Sequence, residues 1–444
     1  MELDVVLLSR LQFALTIGFH YIFPPITIGL AWLLVMIEAK GYKSGEQVYE
    51  QVGIFFGKLL GITFVVGVAS GIVMEFQFGT NWATYSEFVG DLFGGPLAAE
   101  GIFAFFLEST FLGLYLFGRH KVSRGVHLLS TIMVALGATL SAFWIVAANS
   151  WQQTPSGFII QHGRAELTNF WEAVFNPSTL PRYFHTVNGT LITGAFFMAG
   201  IAAYLLLKNK ASDAAKISLR YSIIFGLVTS ILAGFPTGHE HARQVARTQP
   251  EKFAAQEGLY TTQEGAPMLL FGLPKDNPPE MKFSIEIPGL LSWIAYGDVN
   301  ATVRGINDFP EDERPPLFLT FASFHTMVGL GVYFVLIMLL AAIMLYRKTL
   351  WHNSLLLKVL VLSIPLPWLA NQLGWVAAEV GRQPWIVYGL LKTRDAYSIT
   401  VSAGEVLFSL ITFGLIYLLL GALYIYLLIR NIKRGPEPIQ AGVA

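Results

Sequence analysis

The chain has 444 residues, of which 54% are hydrophobic and 13% charged, about half the charged share of an ordinary soluble domain. Its 29 Lys and Arg balance 29 Asp and Glu, so no basic excess is available to hold nucleic acid. Cysteine is absent, which excludes disulfides, thiolate zinc sites, iron–sulfur clusters and thiol nucleophiles.

A bilayer core about 30 Å thick is crossed by roughly 20 apolar residues in helical form. Nine runs meet that length: 11–38, 54–78, 97–118, 127–148, 185–207, 218–238, 317–346, 359–380 and 399–429. None alternates as a barrel strand would. The fold class expected is therefore all-α, a polytopic membrane protein with nine transmembrane helices. The first run holds His20 and Pro24-Pro25 and lacks a basic start and a small-residue cleavage site, so it reads as a broken span and not as a cleavable signal.

Sixteen of the 29 basic residues fall in short connections on one side: Lys40, Lys43 and Lys58; Arg119, Lys121 and Arg124; Lys208, Lys210, Lys216 and Arg220; Arg347, Lys348 and Lys358; Arg430, Lys433 and Arg434. The 79–96 segment, read as a loop on the opposite side, has none. The positive-inside rule then sets the N-terminus outside and the C-terminus in the cytoplasm. The division expected is helices one to six over 1–238, an extracytoplasmic connection over 239–316, helices seven to nine over 317–430 and a cytoplasmic tail over 431–444. The long connection carries seven basic and twelve acidic residues and repeated prolines, Pro274, Pro278, Pro279 and Pro288 among them. Its interspersed Phe, Leu and Trp predict a folded cap, and a connection of this length is usually functional.

An ionisable side chain inside a span is costly unless paired, hydrated or metal-bound. His20 lies within FHYIFPP, Glu100 opens the third run and Glu108 follows eight residues later, about 80° around a helix. His185 begins the fifth run, Met327 lies ten residues into the seventh with His325 two before it, and Glu379 ends the eighth with Arg382 one turn on. Five helices thus contribute candidate iron or proton ligands at similar depth, mostly in one half of the bilayer, which suits a cofactor held between helices. Glu379 with Arg382 reads equally as an interfacial salt bridge, and Met327 as a core filler. His239 and His241, two apart, point to different faces. His120, His127, His162 and His352 read as surface.

No adjacent His pair supports a haem–copper oxidase, and no GxxxxGK[ST] or HExxH string supports an ATPase or a zinc protease. A haem-free proton-coupled transporter or channel stays open, since the same carboxylates would carry protons and the interrupted first span fits a broken helix.

SRLQFALT and FHYIFPP within 9–25, GKLLGITFVVGVASGIVMEFQFGTNW at 57–82, GPLAAEGIFAFFLESTF at 95–111, LSAFWIVAANSW at 140–151, FHTV at 184–187 and GWVAAEVGRQPW at 374–385 together make the chain resemble subunit I of cytochrome bd-type quinol oxidases, along its whole length. The resemblance implies a terminal oxidase that oxidises quinol at the outer face and reduces oxygen to water. It takes protons from the cytoplasm and is electrogenic without pumping.

By the same resemblance, His185 and Met327 are the axial ligands of a low-spin haem b, a saturated iron suited to electron transfer. His20 and Glu379 match ligands of the two high-spin haems, one b-type and the other haem d or a further haem b in its place. Glu100 matches a carboxylate at that di-haem site, and Glu108 and Ser141 its proton path; copper is not implied. Arg10 and Arg382 match propionate partners, Trp375 an aromatic between haems, and Lys252 and Glu257 the quinol site of the outer connection. His325 stands where long-loop relatives have Arg, which suggests a propionate contact. The connection lacks the long-loop insertion, as in the short-loop subgroup. The partners implied are a subunit II, a small single-helix accessory subunit, quinol and oxygen, in a bacterial cell membrane.

Overall fold

The computed structural model describes residues 4–210, 212–276 and 279–437; Pro278 and the tail beyond 437 lie outside the described residues. Among the described residues, nine helices are long and apolar enough to cross a membrane: Val5–Ser44, Gln47–Thr80, Ala83–Phe117, Arg124–Gln153, Thr179–Leu207, Asp213–Thr248, Leu317–Tyr346, Ser354–Val380 and Ala403–Arg434. Each overlaps one expected run, and they are numbered here as the first to ninth spans.

The eighth span turns at 363–365 between the helices Ser354–Leu362 and Leu366–Val380, and three further spans are bent where the sequence breaks them. The first runs helically over Val5–His20, turns at Tyr21 and Ile22, and resumes over Phe23–Ser44 with Pro24 and Pro25 in the opening turn. Proline is tolerated there because those backbone N–H groups have no helical partner. The third is π-helical over Glu100–Phe105. The sixth is π-helical over Ala233–Gly238, with Phe235 in an extended conformation before Pro236.

Two readings of the connections change. The 79–96 segment is helical from Ala83, because its polar residues find partners in the cap. Ala83 N–H donates to Ser398 Oγ (2.7 Å), Thr84 Oγ1 to the Tyr397 carbonyl (2.8 Å), and Asp91 accepts from Leu167 N–H (2.7 Å). Glu100 therefore does not open the third span; it sits at the π turn in the middle of a helix 35 residues long. The sixth span likewise continues through His239–Thr248, so the connection outside the helices starts near 249.

The second half of the first span forms the centre of the bundle, with Leu30, Leu33, Leu34 and Ile37 packed among Phe56, Leu59, Leu60, Phe197, Met198 and Ile201. It crosses the fifth span at Gly29 and Gly194. A Cβ on Gly194 would stand 2.2 Å from the Gly29 carbonyl carbon, and one on Gly29 would stand 2.3 Å from the Thr190 carbonyl oxygen. Only hydrogen fits at either side, and small residues let membrane helices approach this closely.

The connection between the sixth and seventh spans is folded. It comprises the helix Pro250–Glu257, a hairpin pairing Met268–Asp276 antiparallel with Pro279–Ile287, and the helix Leu290–Tyr296. Phe253, Leu259, Ala266, Leu291, Ala295 and Val303 make its small core. A second part of the cap joins the hairpin Phe158–Gln161/Arg164–Leu167 to the strands Trp385–Val387 and Leu391–Lys392 around Trp82, Tyr85 and Trp151.

The glycine crossing generates a stability prediction. Gly194→Leu forces the first and fifth spans apart and should lower stability by about 1–3 kcal/mol or more. This is read as a lower midpoint of thermal unfolding in detergent, whereas Gly113→Leu, with open space at its Cβ position, should leave the midpoint unchanged.

Candidate functional site

The eighth span ends on Glu379, whose carboxylate is the centre of a charged cluster. One oxygen pairs with Arg382 of the following turn. The other accepts from Asn149 Nδ2 and Gln153 Nε2 of the fourth span, both at 3.2 Å, and lies 3.7 Å from Arg182 of the fifth. Arg182 and Arg382 are both buried. The salt bridge weighed for Glu379 is thus formed, with a second guanidinium that the reading of its own span did not include. Arg382 is held in turn by the Trp385 carbonyl (3.2 Å) and Gln152 Oε1 (3.5 Å).

Lys252, from the connection, completes this cluster. Its Nζ donates to Gln153 Oε1 (2.8 Å) and Gln249 Oε1 (3.0 Å), and its stem packs where a Cβ on Gly381 would stand, 3.0 Å from Cγ. Lys252 is 3% exposed and Glu257 5%, so neither is the surface charge that an acidic, proline-rich connection would suggest. Burial, together with the positive charges of Arg182 and Arg382, holds the Lys252 ammonium well below the usual lysine range. Burial alone pushes the Glu257 carboxyl up to about 8. Its Oε2 is enclosed without a hydrogen-bond partner, an arrangement costly for a charged carboxylate and tolerable for a protonated one. Both residues belong to a single two-turn helix, started by Pro250 and closed by left-handed Gly258.

His20 ends the first half of the first span at its break. Its Nδ1 lies 3.1 Å from Ser70 Oγ of the second span, and Gly71 leaves room for the ring, 3.1 Å from where a Cβ would be. The next residue, Tyr21, meets Trp375 of the eighth span with ring centroids 5.9 Å apart. The broken first span thus sets its imidazole against the second span and Tyr21 against the helix that ends in Glu379. Arg10, two and a half turns earlier, is exposed on this half-helix.

His185 Nδ1 is buried with no hydrogen-bond partner. The bend of the sixth span places His241 beside it, ring centroids 5.4 Å apart, while His239 turns away to Trp293 (6.1 Å). Met327 Sδ fills the space left by Gly374, 2.7 Å from the position a Cβ would take, so the thioether lies against the eighth span. His325 Nδ1 and Nε2 each lie 3.2 Å from a backbone carbonyl, of Phe321 and Leu269 respectively; the second ties the seventh span to the hairpin.

Glu100 and Glu108 meet the same face of the fourth span. Ser141 Oγ donates to Glu100 Oε1 (2.8 Å), and Gly137, one turn earlier, admits the backbone and Cβ of Glu108 at 3.0 Å from its own Cβ position. The π turn explains the alignment. It takes up one extra residue, so the eight residues from Glu100 to Glu108 advance about as far as seven α-helical ones. The angle between them falls from about 80° to about 20°.

Three further residues join these clusters, and a fourth is buried apart from them. Arg182 stands three residues before His185 in RYFH, and Glu75 is a carboxylate inside the second run, close enough to Glu100 for their charges to interact. The intramembrane rule that selected Glu108 selects Glu75 equally. His241 needed the bend of the sixth span to be placed. His127, read as surface, is buried with Nε2 3.0 Å from the Tyr115 carbonyl. That end of the span is covered by an ion pair of Arg119 with buried Glu38.

Residues 8–436 match the family model described as cytochrome bd terminal oxidase subunit I. The chain is 40% identical to the cytochrome bd ubiquinol oxidase subunit 1 of Bacillus subtilis (strain 168), over 97% of this chain and 94% of that protein. It is 35% identical to the cytochrome bd-II ubiquinol oxidase subunit 1 of Escherichia coli (strain K12), over 99% and 98%. The solved structure of bd oxidase from Geobacillus thermodenitrificans superposes with a TM-score of 0.92 at 33% identity, covering 98% of this chain and 99% of that one. With matches that run from end to end over nine membrane helices, this chain belongs to the cytochrome bd terminal oxidase subunit I family.

Proposed function

We propose that this chain is the quinol-oxidising and oxygen-reducing subunit of a bacterial membrane terminal oxidase, with its N-terminus and long connection outside and its C-terminus in the cytoplasm. The observation that carries the reading is the burial of Lys252 and Glu257 in the connection, with Lys252 joined through Gln153 to the Glu379 cluster. A site for an external two-electron donor and a site for an intramembrane cofactor are thereby in contact. Family relatives named for ubiquinol oxidation support the substrate class.

The donor set fits haem. His185 offers an unpartnered buried nitrogen, and Met327 a thioether in a tailored space. Together they are assigned to a low-spin haem b. His20 and Glu379 are assigned to two high-spin haems, one of b type and one of d type or again b, with Glu100 at the same centre. Arg182 and Arg382 flank one carboxylate, an excess of positive charge that suits propionates; Arg10, Trp375 and His325 are assigned to the haem periphery. When bound, these haems supply one-electron transfer and the iron at which oxygen is reduced to water.

The chain's own residues handle the protons. A quinol hydroxyl must lose its proton as the electrons leave, and Glu257 is the acceptor, ionised above about pH 8. Lys252, biased towards its neutral form, positions the quinol oxygen by hydrogen bonding. Protons for oxygen reduction rise from the cytoplasmic side by Glu108 to Glu100, with Ser141 orienting the second carboxylate (2.8 Å). Charge separation follows from taking protons on one side and releasing them on the other. Subunit II is the partner, and a small single-helix subunit is compatible with the exposed ninth span.

Three measurements test this. Glu108→Gln, with haem content unchanged by pyridine haemochrome, should reduce quinol-driven oxygen uptake by about a hundredfold; intact turnover would refute the proton path. Met327→Leu should remove or move one reduced-haem absorbance band, and an unaltered spectrum would refute the ligand. For Glu257 the sign follows from a raised pKa: the acid form is favoured at neutral pH and the base appears as pH rises through about 8. Quinol oxidation at saturating oxygen should therefore climb over that interval in the native protein, and Glu257→Gln should be slow and flat there.

A further inference from the structure

We propose that the hairpin Met268–Asp276/Pro279–Ile287 is a membrane-surface element, resting in the boundary between headgroups and acyl chains with Phe271, Phe283 and Ile285 against lipid. The proposal stands on the membrane fold alone and does not depend on which substrate the connection binds.

Depth is the first argument. Leu269, at the root of the hairpin, presents its carbonyl to His325 Nε2 at 3.2 Å. His325 is not at the end of its helix: it lies eight residues past Leu317, about 12 Å down the axis. The other end of the seventh span is marked by Arg347 and Lys348 directly after Tyr346. Counting roughly 20 residues back from Tyr346 to cross the hydrocarbon core arrives at Met327. The root of the hairpin is therefore within about 3 Å of the core edge, alongside the helix rather than above it.

Exposure is the second. Leu270, Phe271, Leu273, Phe283 and Ile285 are all about half exposed or more, Phe283 at 78%. The core of the connection engages the hairpin chiefly through Leu269 and Met268. A two-stranded hairpin with this surface would be marginal in water, and a contiguous apolar patch of this kind marks an interaction surface. Polarity is graded along the strands. Near the root they carry Leu270, Phe271, Ile285 and Ile287, with exposed Glu286 opposite Leu269, whereas the far end carries the ion pairs of Glu280 with Lys275 (3.7 Å) and Lys282 (3.6 Å). An apolar base and a charged tip match the gradient from acyl chain to headgroup. The seventh span, on which the hairpin leans, is itself exposed and apolar along Phe318, Val328, Val332 and Leu336, so lipid covering that helix reaches the hairpin without interruption.

The same element touches the residue that follows the buried acid of the connection. Met281 packs on Gly258, its Cε 2.5 Å from where a Cβ would be, and Phe321 closes the other side at 2.9 Å. Gly258 follows Glu257 directly, so the hairpin spans from the lipid surface to the residue beside that acid.

The chain has no cysteine, which makes a single introduced thiol a clean probe. Phe283→Cys, Ile285→Cys and Glu280→Cys are each carried in the assembled oxidase, labelled with an environment-sensitive fluorophore and placed in phosphatidylcholine nanodiscs, where both faces meet solvent. Labelling of the unsubstituted complex is subtracted. The expected result is loss of emission at 283 and 285 with nitroxide-bearing lipid and not with aqueous iodide, and loss with iodide at 280. Iodide quenching at 283 and 285 would show the hairpin to be in water, and protection from both quenchers would show it covered by protein; either result overturns the proposal.

Discussion

The structure depends on one electrostatic problem, the placement of charge where water is scarce. Glu379 and its guanidinium partners Arg182 and Arg382 are drawn from the fifth span, the eighth span and the turn after it, and the fourth span adds Asn149 and Gln153. An isolated charge at this position would be costly. Each partner therefore constrains the others, and the three spans are held in register. Lys252 extends the same cluster into the connection through Gln153. A cap that might have been an independent module is thereby anchored to the membrane helices by polar bonds as well as by packing.

Breaks in helices do the positioning. The turn at Tyr21 and Ile22 leaves His20 at a helix end, facing Ser70. The π turn at Glu100–Phe105 rotates two carboxylates onto one face of the fourth span. The bend at Ala233–Gly238 brings His241 against His185. At the first break Gln372 of the eighth span donates to the Gly18 carbonyl (2.7 Å), whereas Phe103 and Phe106 at the π turn and Phe235 at the sixth-span bend are exposed. Glycines at the crossings admit the side chains concerned, as Gly374 does for Met327 and Gly71 for His20.

The connection divides its work by depth. The helix Pro250–Glu257 is buried over nearly its whole length and presents three titratable groups, Glu251, Lys252 and Glu257, whose charged forms burial disfavours, while the hairpin beyond it carries the exposed apolar surface. Glu257 and Lys252 have opposite formal charges, yet burial drives both towards neutrality.

The amino-acid order alone was enough for the all-α class, the nine spans and most of the polar residues within them, because a bilayer demands about 20 apolar residues in a row and makes every exception conspicuous. His20, Glu108, His185 and Glu379 were visible for that reason, and Glu75 was visible by the same rule. Helix ends were not legible: residues 83–96 mix Glu87 and Asp91 with apolar residues and find partners in Ser398 and Leu167, and residues 239–248 are polar yet continue the sixth span. Nor could spacing align Glu100 with Glu108, since a π turn is a backbone event with no residue signature of its own. Only the tertiary structure brought Arg182 to Glu379 and buried Lys252 and Glu257, because those contacts join segments far apart in the chain, and neither the desolvation cost nor the charge pairing that offsets it at Glu379 is encoded in local composition.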